Sequence, residues 1–200
     1  MYSLSSFGWH RIVTSLSIFS PCLALGLATS VQAFADTVNS PLAAWAGRWK
    51  GPCESRLPAA VPTIGIRFYL DRTVEAIPGS NRYKWKSDFQ IPDRTNALKD
   101  YEIYPVDSQR GHFRLDEKNT IEIDTFLSHD SLYTHFQVGD VTIVSTDRLE
   151  SEGKVMVAEL LSFTSQGATN SGGVGKVPVV RSDVFTENFR CVLNKVDIGE

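Results

Sequence analysis

Residues Ser40–Glu54 read SPLAAWAGRWKGPCE, and the way this stretch folds decides the rest. Ser40-Pro41 has the form of a helix start, with serine as cap and proline at the first helical position. Leu42–Ala46 predicts one or two turns, and Gly47 a stop. Beyond it, Trp49, Gly51 and Cys53 share one parity of an extended strand. The stretch therefore predicts a short helical plug running into a first β-strand.

Upstream, residues 1–35 are unlike the remainder. They hold a single formal charge, Arg11, then a mostly apolar run from Ile12 to Ala28, and close on Ala33-Phe34-Ala35 before Asp36. That order predicts a secretory signal peptide cleaved after Ala35, and hence an exported chain, periplasmic or secreted. An uncleaved anchor is the competing reading, because Ile12–Val31 is long enough to span a bilayer. Pro21 and several serines and threonines weaken it. Pro21 also stands where lipid attachment at Cys22 would want a small residue. The remainder, Asp36–Glu200, is a single domain by length, with no membrane span expected once the signal is gone. Net charge is −3 over 200 residues, and loss of Arg11 makes it one unit more negative. With no basic stripe, nucleic acid is not an expected partner.

Of three cysteines, Cys22 leaves with the signal. Cys53 and Cys191 remain, and an even pair in an oxidising compartment predicts a disulfide. They lie near opposite ends of the exported chain, so the bridge would hold those ends side by side.

Downstream the pattern has period two. Ile64, Ile66, Phe68 and Leu70 share a face. So do Tyr83, Trp85, Phe89 and Ile91, with Arg82, Lys84, Lys86 and Asp88 opposite. Tyr101 and Ile103 follow, then Phe113 and Leu115, Ile121 and Ile123, and Leu132, Thr134, Phe136 and Val138. Val141 and Ile143, the run Val155–Phe163, and Phe185, Phe189, Cys191 and Leu193 complete the series. Turn-forming clusters such as Pro78–Asn81, Asp107–Gly111, Gly139-Asp140 and Glu150–Gly153 separate the runs. About nine or ten short strands and no long amphipathic helix predict an all-β, antiparallel up-and-down barrel or a sandwich. Terminal strands joined by Cys53–Cys191 favour the barrel of 8–10 strands, which also leaves no open edge. Ser165–Lys176, SQGATNSGGVGK, predicts a mobile loop. It lacks the spacing of a phosphate loop.

A helical turn leading into Gly47-Arg48-Trp49 at the head of an exported β meander resembles the lipocalin/calycin group. The resemblance implies a barrel whose tryptophan, here Trp49, plugs the closed end beneath a ligand cavity. It also implies a basic residue of the last strand over that indole, for which Arg190 is the candidate, although its parity is opposite to that of Cys191. The group's second signature corresponds to Thr146-Asp147-Arg148, with a non-aromatic third residue. Such proteins typically bind small apolar molecules, and some relatives bind haem.

Within such a barrel, Tyr83, Trp85, Phe89, Tyr101, Phe113, Phe136 and Phe163 are the candidate ligand-lining aromatics. The bland alternative is that they fill the interior. Glu159 shares parity with Val155, Val157, Leu161 and Phe163, so it is a candidate inward carboxylate for a ligand's polar end. Alternatively Met156, Ala158 and Leu160 form the inner face and Glu159 is solvated. His129, Asp130 and His135 straddle a turn and match no metal pattern. Glu122 and Asp124 share a strand face, as solvated acids commonly do. No nucleophile elbow, HExxH helix or CxxCH stands in the sequence. The expected function is non-catalytic binding of a small apolar or amphiphilic ligand, with no cofactor or metal. A packed barrel recognising a protein partner through its rim, and a calycin enzyme or haem protein, are the alternatives.

Overall fold

The structure, a computed structural model, describes residues 40–56 and 66–197. The signal-peptide stretch, Cys22 and Ile64 lie outside these residues. Ser40 caps the opening turn by accepting a hydrogen bond from the Leu42 amide at 3.2 Å. The turn is a 3-10 helix, Pro41–Trp45, that buries Leu42 and Trp45.

Ten strands follow: β1 Gly47–Arg56, β2 Ile66–Ala76, β3 Tyr83–Gln90, β4 Ala97–Asp107, β5 His112–Asp116, β6 Glu122–Ser128, β7 Ser131–Val138, β8 Val141–Glu150, β9 Val155–Gly172 and β10 Val179–Val196. Each pairs antiparallel with its sequence neighbour, and β1 pairs with β10, so the sheet closes into a barrel. Cys53 and Cys191 stand directly opposite in that closing ladder and are bonded to each other. The bridge spans a sequence separation of 138. A loop of that size lowers the entropy of the unfolded chain enough to stabilise the fold by about 5 kcal/mol.

Directly opposed residues of an antiparallel ladder project to the same side of the sheet, so the register assigns the inner face around the whole barrel. On β1 it carries Trp49, Gly51, Cys53 and Ser55, all buried. A Cβ at Gly51 would collide with the Val192 carbonyl of β10, so only glycine admits this approach of the closing strands. Inner positions of β2 are Phe68, Leu70, Arg72 and Val74, and those of β3 are Tyr83, Trp85, Ser87 and Phe89. The core gathers at the end where the 3-10 helix enters, around Trp45, Trp49, Tyr83, Phe113 and Met156.

Two expectations change. Ser165–Lys176 is mostly strand: β9 and β10 continue as a two-stranded ribbon, from Thr169↔Ser182 to Gly172↔Val179, past a register shift. A second shift between Phe185 and Glu187 turns Phe185 to the outer face, while Phe189, Cys191 and Leu193 stay inside. Among the described residues no helix is long and apolar enough to cross a membrane.

Candidate functional site

The closed end of the barrel is built from the opening stretch. Trp49 is fully buried, and its indole Nε1 donates to the Trp45 carbonyl at 2.9 Å. That bond ties the first strand to the helical turn, and Trp45 in turn packs tilted against Trp85, ring centres 5.9 Å apart. The cation over Trp49 is Lys195, with Nζ 4.9 Å from the ring. It is not Arg190. Because Cys191 and Leu193 face inward, the parity of β10 brings Lys195 to the Trp49 side and turns Arg190 outward. Arg190 instead pairs with Glu159 at 3.2 Å on the outer wall.

Above this plug a charged bridge crosses the interior. Arg72 on β2 donates from Nε to Ser87 Oγ on β3 at 3.0 Å. From Nη1 it donates to Asp147 on β8 and, at 3.4 Å, to Met156 Sδ on β9. Its guanidinium carbon lies 5.1 Å from the Trp85 ring centre. The Arg72 side chain is 8% exposed, whereas that of Asp147 keeps 19%. Asp147 is opposed by Leu132 and Ala158, both inner residues, so it projects to the inner side of the barrel.

Beyond the bridge the lumen has two unlike walls. One is aromatic: Phe68, Phe89 and Phe189 form a triangle with ring centres 5.8–6.2 Å apart. Tyr101 continues it. Burial, reinforced by the Glu117 carboxylate that accepts its hydrogen bond, pushes the Tyr101 phenol well above the usual tyrosine range. The other wall carries hydroxyls. Thr125 and Thr134 are hydrogen-bonded at 3.0 Å, and the register continues their row to Ser145. The next row runs Phe136, Ile143, Ser162 and Glu187, and Ser55 donates to Glu187 at 2.6 Å.

Of the eight sequence candidates, six face inward. Tyr83, Trp85 and Phe113 are buried in the packed lower core, while Phe89, Tyr101 and Phe136 are half-buried in the upper lumen. Glu159 and Phe163 do not join them. Met156, Ala158 and Leu160 form the inner face of β9, which turns the odd residues outward. Phe163 packs edge-on against Phe185, with ring centres 5.8 Å apart. Arg72 and Asp147 are the polar residues that pattern reading passed over. Arg72 continues the apolar parity of Ile66, Phe68 and Leu70, and Asp147 lies in the Thr146-Asp147-Arg148 signature.

The remaining polar candidates are on the outer wall. Glu122 and Asp124 are both bonded to Arg114, and His112 Nε2 meets Asp124 at 2.9 Å. His129 lies in the exposed β6–β7 turn and His135 on the outer side of β7. No group of three or more potential metal ligands converges among the described residues. A groove of about 800 Å³ on the outer face of β1–β4 is lined by paired charges, with Arg48 bound to Asp71 at 2.7 Å.

These features define a lipocalin-like barrel: ten antiparallel strands closed on themselves with a tryptophan plug at one end. Among solved structures the chain resembles an S-type phycobiliprotein lyase from Guillardia theta, with a TM-score of 0.51 and 8% identity. The match covers 80% of this chain and 93% of that one, and likeness at this identity is a likeness of fold. No family model matches the sequence, and no curated protein does.

Proposed function

We propose that this protein is an exported barrel that binds one small amphiphilic molecule in its lumen and performs no chemistry on it. The observation that carries this reading is the pairing of unlike walls. An aromatic triangle and a row of hydroxyls share the inner face with an ion pair whose carboxylate retains accessible surface. Thr125, Thr134 and the Arg72 guanidinium are hydrogen-bonded within the wall, so they present a polar side with no unpaired buried group among the described residues. A lumen that holds a molecule with both apolar and polar parts uses both walls. The likeness to a phycobiliprotein lyase agrees with a barrel that handles a small organic molecule. Export is supported by the sequence of residues 1–35 and by the Cys53–Cys191 bridge, which persists in oxidising compartments.

Native mass spectrometry of protein purified from its own source tests this reading. A discrete copurified mass of a few hundred daltons, removed by organic solvent, is the expected result. Protein that carries no such mass and binds no neutral fluorescent amphiphile added afterwards would reject it.

Recognition of a protein partner through the rim is a second reading, favoured by the ribbon. There Val174, Val177, Val179 and Val180 are 79%, 58%, 66% and 53% exposed. Shortening the ribbon to a tight turn would abolish partner capture on this reading and leave lumen binding intact.

A further inference from the structure

The chemistry of the bridge restricts what the lumen can hold. Arg72 and Asp147 together carry no net charge, and both border the inside of the barrel. The hydrogen bonds of Arg72 leave from Nε and Nη1. Among the described residues none leaves from Nη2, and no fully buried polar side-chain atom there lacks a partner. Nη2 therefore keeps accessible surface, as part of Asp147 does. An unused N–H donor lies beside a carboxylate that can accept. The complement is a neutral group with a carbonyl and an N–H side by side.

We propose that the deep end of the ligand is an uncharged amide, of the lactam or primary-amide type. Its carbonyl accepts from Arg72 Nη2 and its N–H donates to Asp147. This deepens the lumen-binding reading and rests on it. A carboxylate end is disfavoured, because it would bring a second negative charge against Asp147 with one guanidinium to share. A plain hydrocarbon end is disfavoured too, because it would strip water from a charge pair and return no hydrogen bond.

The test uses two probes of equal tail, decanamide and decanoate, with 1-decanol as a neutral control. Each is titrated at about pH 8 into the disulfide-bonded domain and followed by tryptophan emission, since Trp85 lies against Arg72. Decanamide should bind about tenfold or more tighter than decanoate, given the cost of like-charge juxtaposition. The Asp147→Asn variant should reverse the order, because Arg72 then lacks its counter-ion. Decanoate binding as tightly as decanamide to the wild-type chain would overturn the amide assignment while leaving lumen binding intact. Failure of all three probes would overturn both. Should Asp147→Asn not fold, the wild-type comparison alone decides.

Discussion

Replacing Trp49 by alanine removes the largest part of the plug, and the structure sets the size of the loss. The side chain is fully buried. Truncating a buried aromatic costs about 3–5 kcal/mol in lost transfer energy and residual cavity. The hydrogen bond to the Trp45 carbonyl adds about 1 kcal/mol. Lys195, 4.9 Å from the ring, would lose its aromatic partner, worth a further ~0.5–1 kcal/mol. The expected total is about 4.5–7 kcal/mol. In a domain of this size 1 kcal/mol shifts the melting temperature by about 2–4 °C, so Trp49→Ala should melt about 9–28 °C lower. Trp49→Phe keeps most of the burial and loses the donor, so it should fall between. Arg190→Ala removes an outer-wall pair with Glu159, worth at most about 1 kcal/mol, and should melt close to wild type. The assay is thermal and urea unfolding followed by circular dichroism with the disulfide intact. Trp49→Ala within about 1 kcal/mol of wild type would refute the plug. An Arg190→Ala loss as large as that of Trp49→Ala would refute the assignment of Lys195 to the indole.

Replacing Cys53 and Cys191 together by serine should cost about 5 kcal/mol in urea unfolding, and the unmodified protein should yield a Cys53–Cys191 linked peptide two hydrogens lighter than the reduced pair. Arg72→Leu strands Asp147 and should destabilise by about 3–5 kcal/mol, whereas the Arg72→Leu, Asp147→Leu double variant should recover much of that loss; simple additivity in the cycle would contradict a direct pair. Asp71 is held below its ordinary carboxylate value by its hydrogen bond from Arg48, which outweighs partial burial. Its folded pKa lies below its unfolded one, so its contribution is complete above about pH 4 and fades as pH falls through the folded value. Asp71→Asn should therefore be less stable than wild type at neutral pH, with the gap narrowing as pH falls below about 4; a gap that stays constant into acid would contradict that pairing.

The fold was legible because one face of most strands is apolar and the other charged. Arg82, Lys84, Lys86 and Asp88 alternate against Tyr83, Trp85 and Phe89, and the structure puts the first set outside and the second inside. The same logic failed on β9. Val157 points outward yet is 2% exposed, so both faces of that strand are apolar and period two cannot choose between them. Both readings of Glu159, inward carboxylate or solvated acid, stay open in the sequence for that reason, and Phe163 shares its parity. Phe185 was lost to a shift in strand register, which the residues around it do not announce. In the ribbon, Gly172 pairs with Val179, because the backbone ladder does not depend on side-chain burial, while Gly173 and Gly175 lie in the turn at its tip. The lumen's polar half was legible in part. Arg72 is the charged residue that interrupts an otherwise apolar parity on β2, but only the register across the barrel reveals that Asp147 meets it.

Ligand binding requires the lumen above the Arg72–Asp147 bridge to be open and able to hold a molecule. Titration with the neutral dye N-phenyl-1-naphthylamine tests this most directly when wild type is compared with a Ser145→Trp variant, whose indole would occupy the hydroxyl wall. Saturable binding at one site by wild type, abolished in a Ser145→Trp protein that still melts cooperatively, is the predicted result. Absence of saturable binding, or binding that Ser145→Trp leaves unchanged, would contradict it.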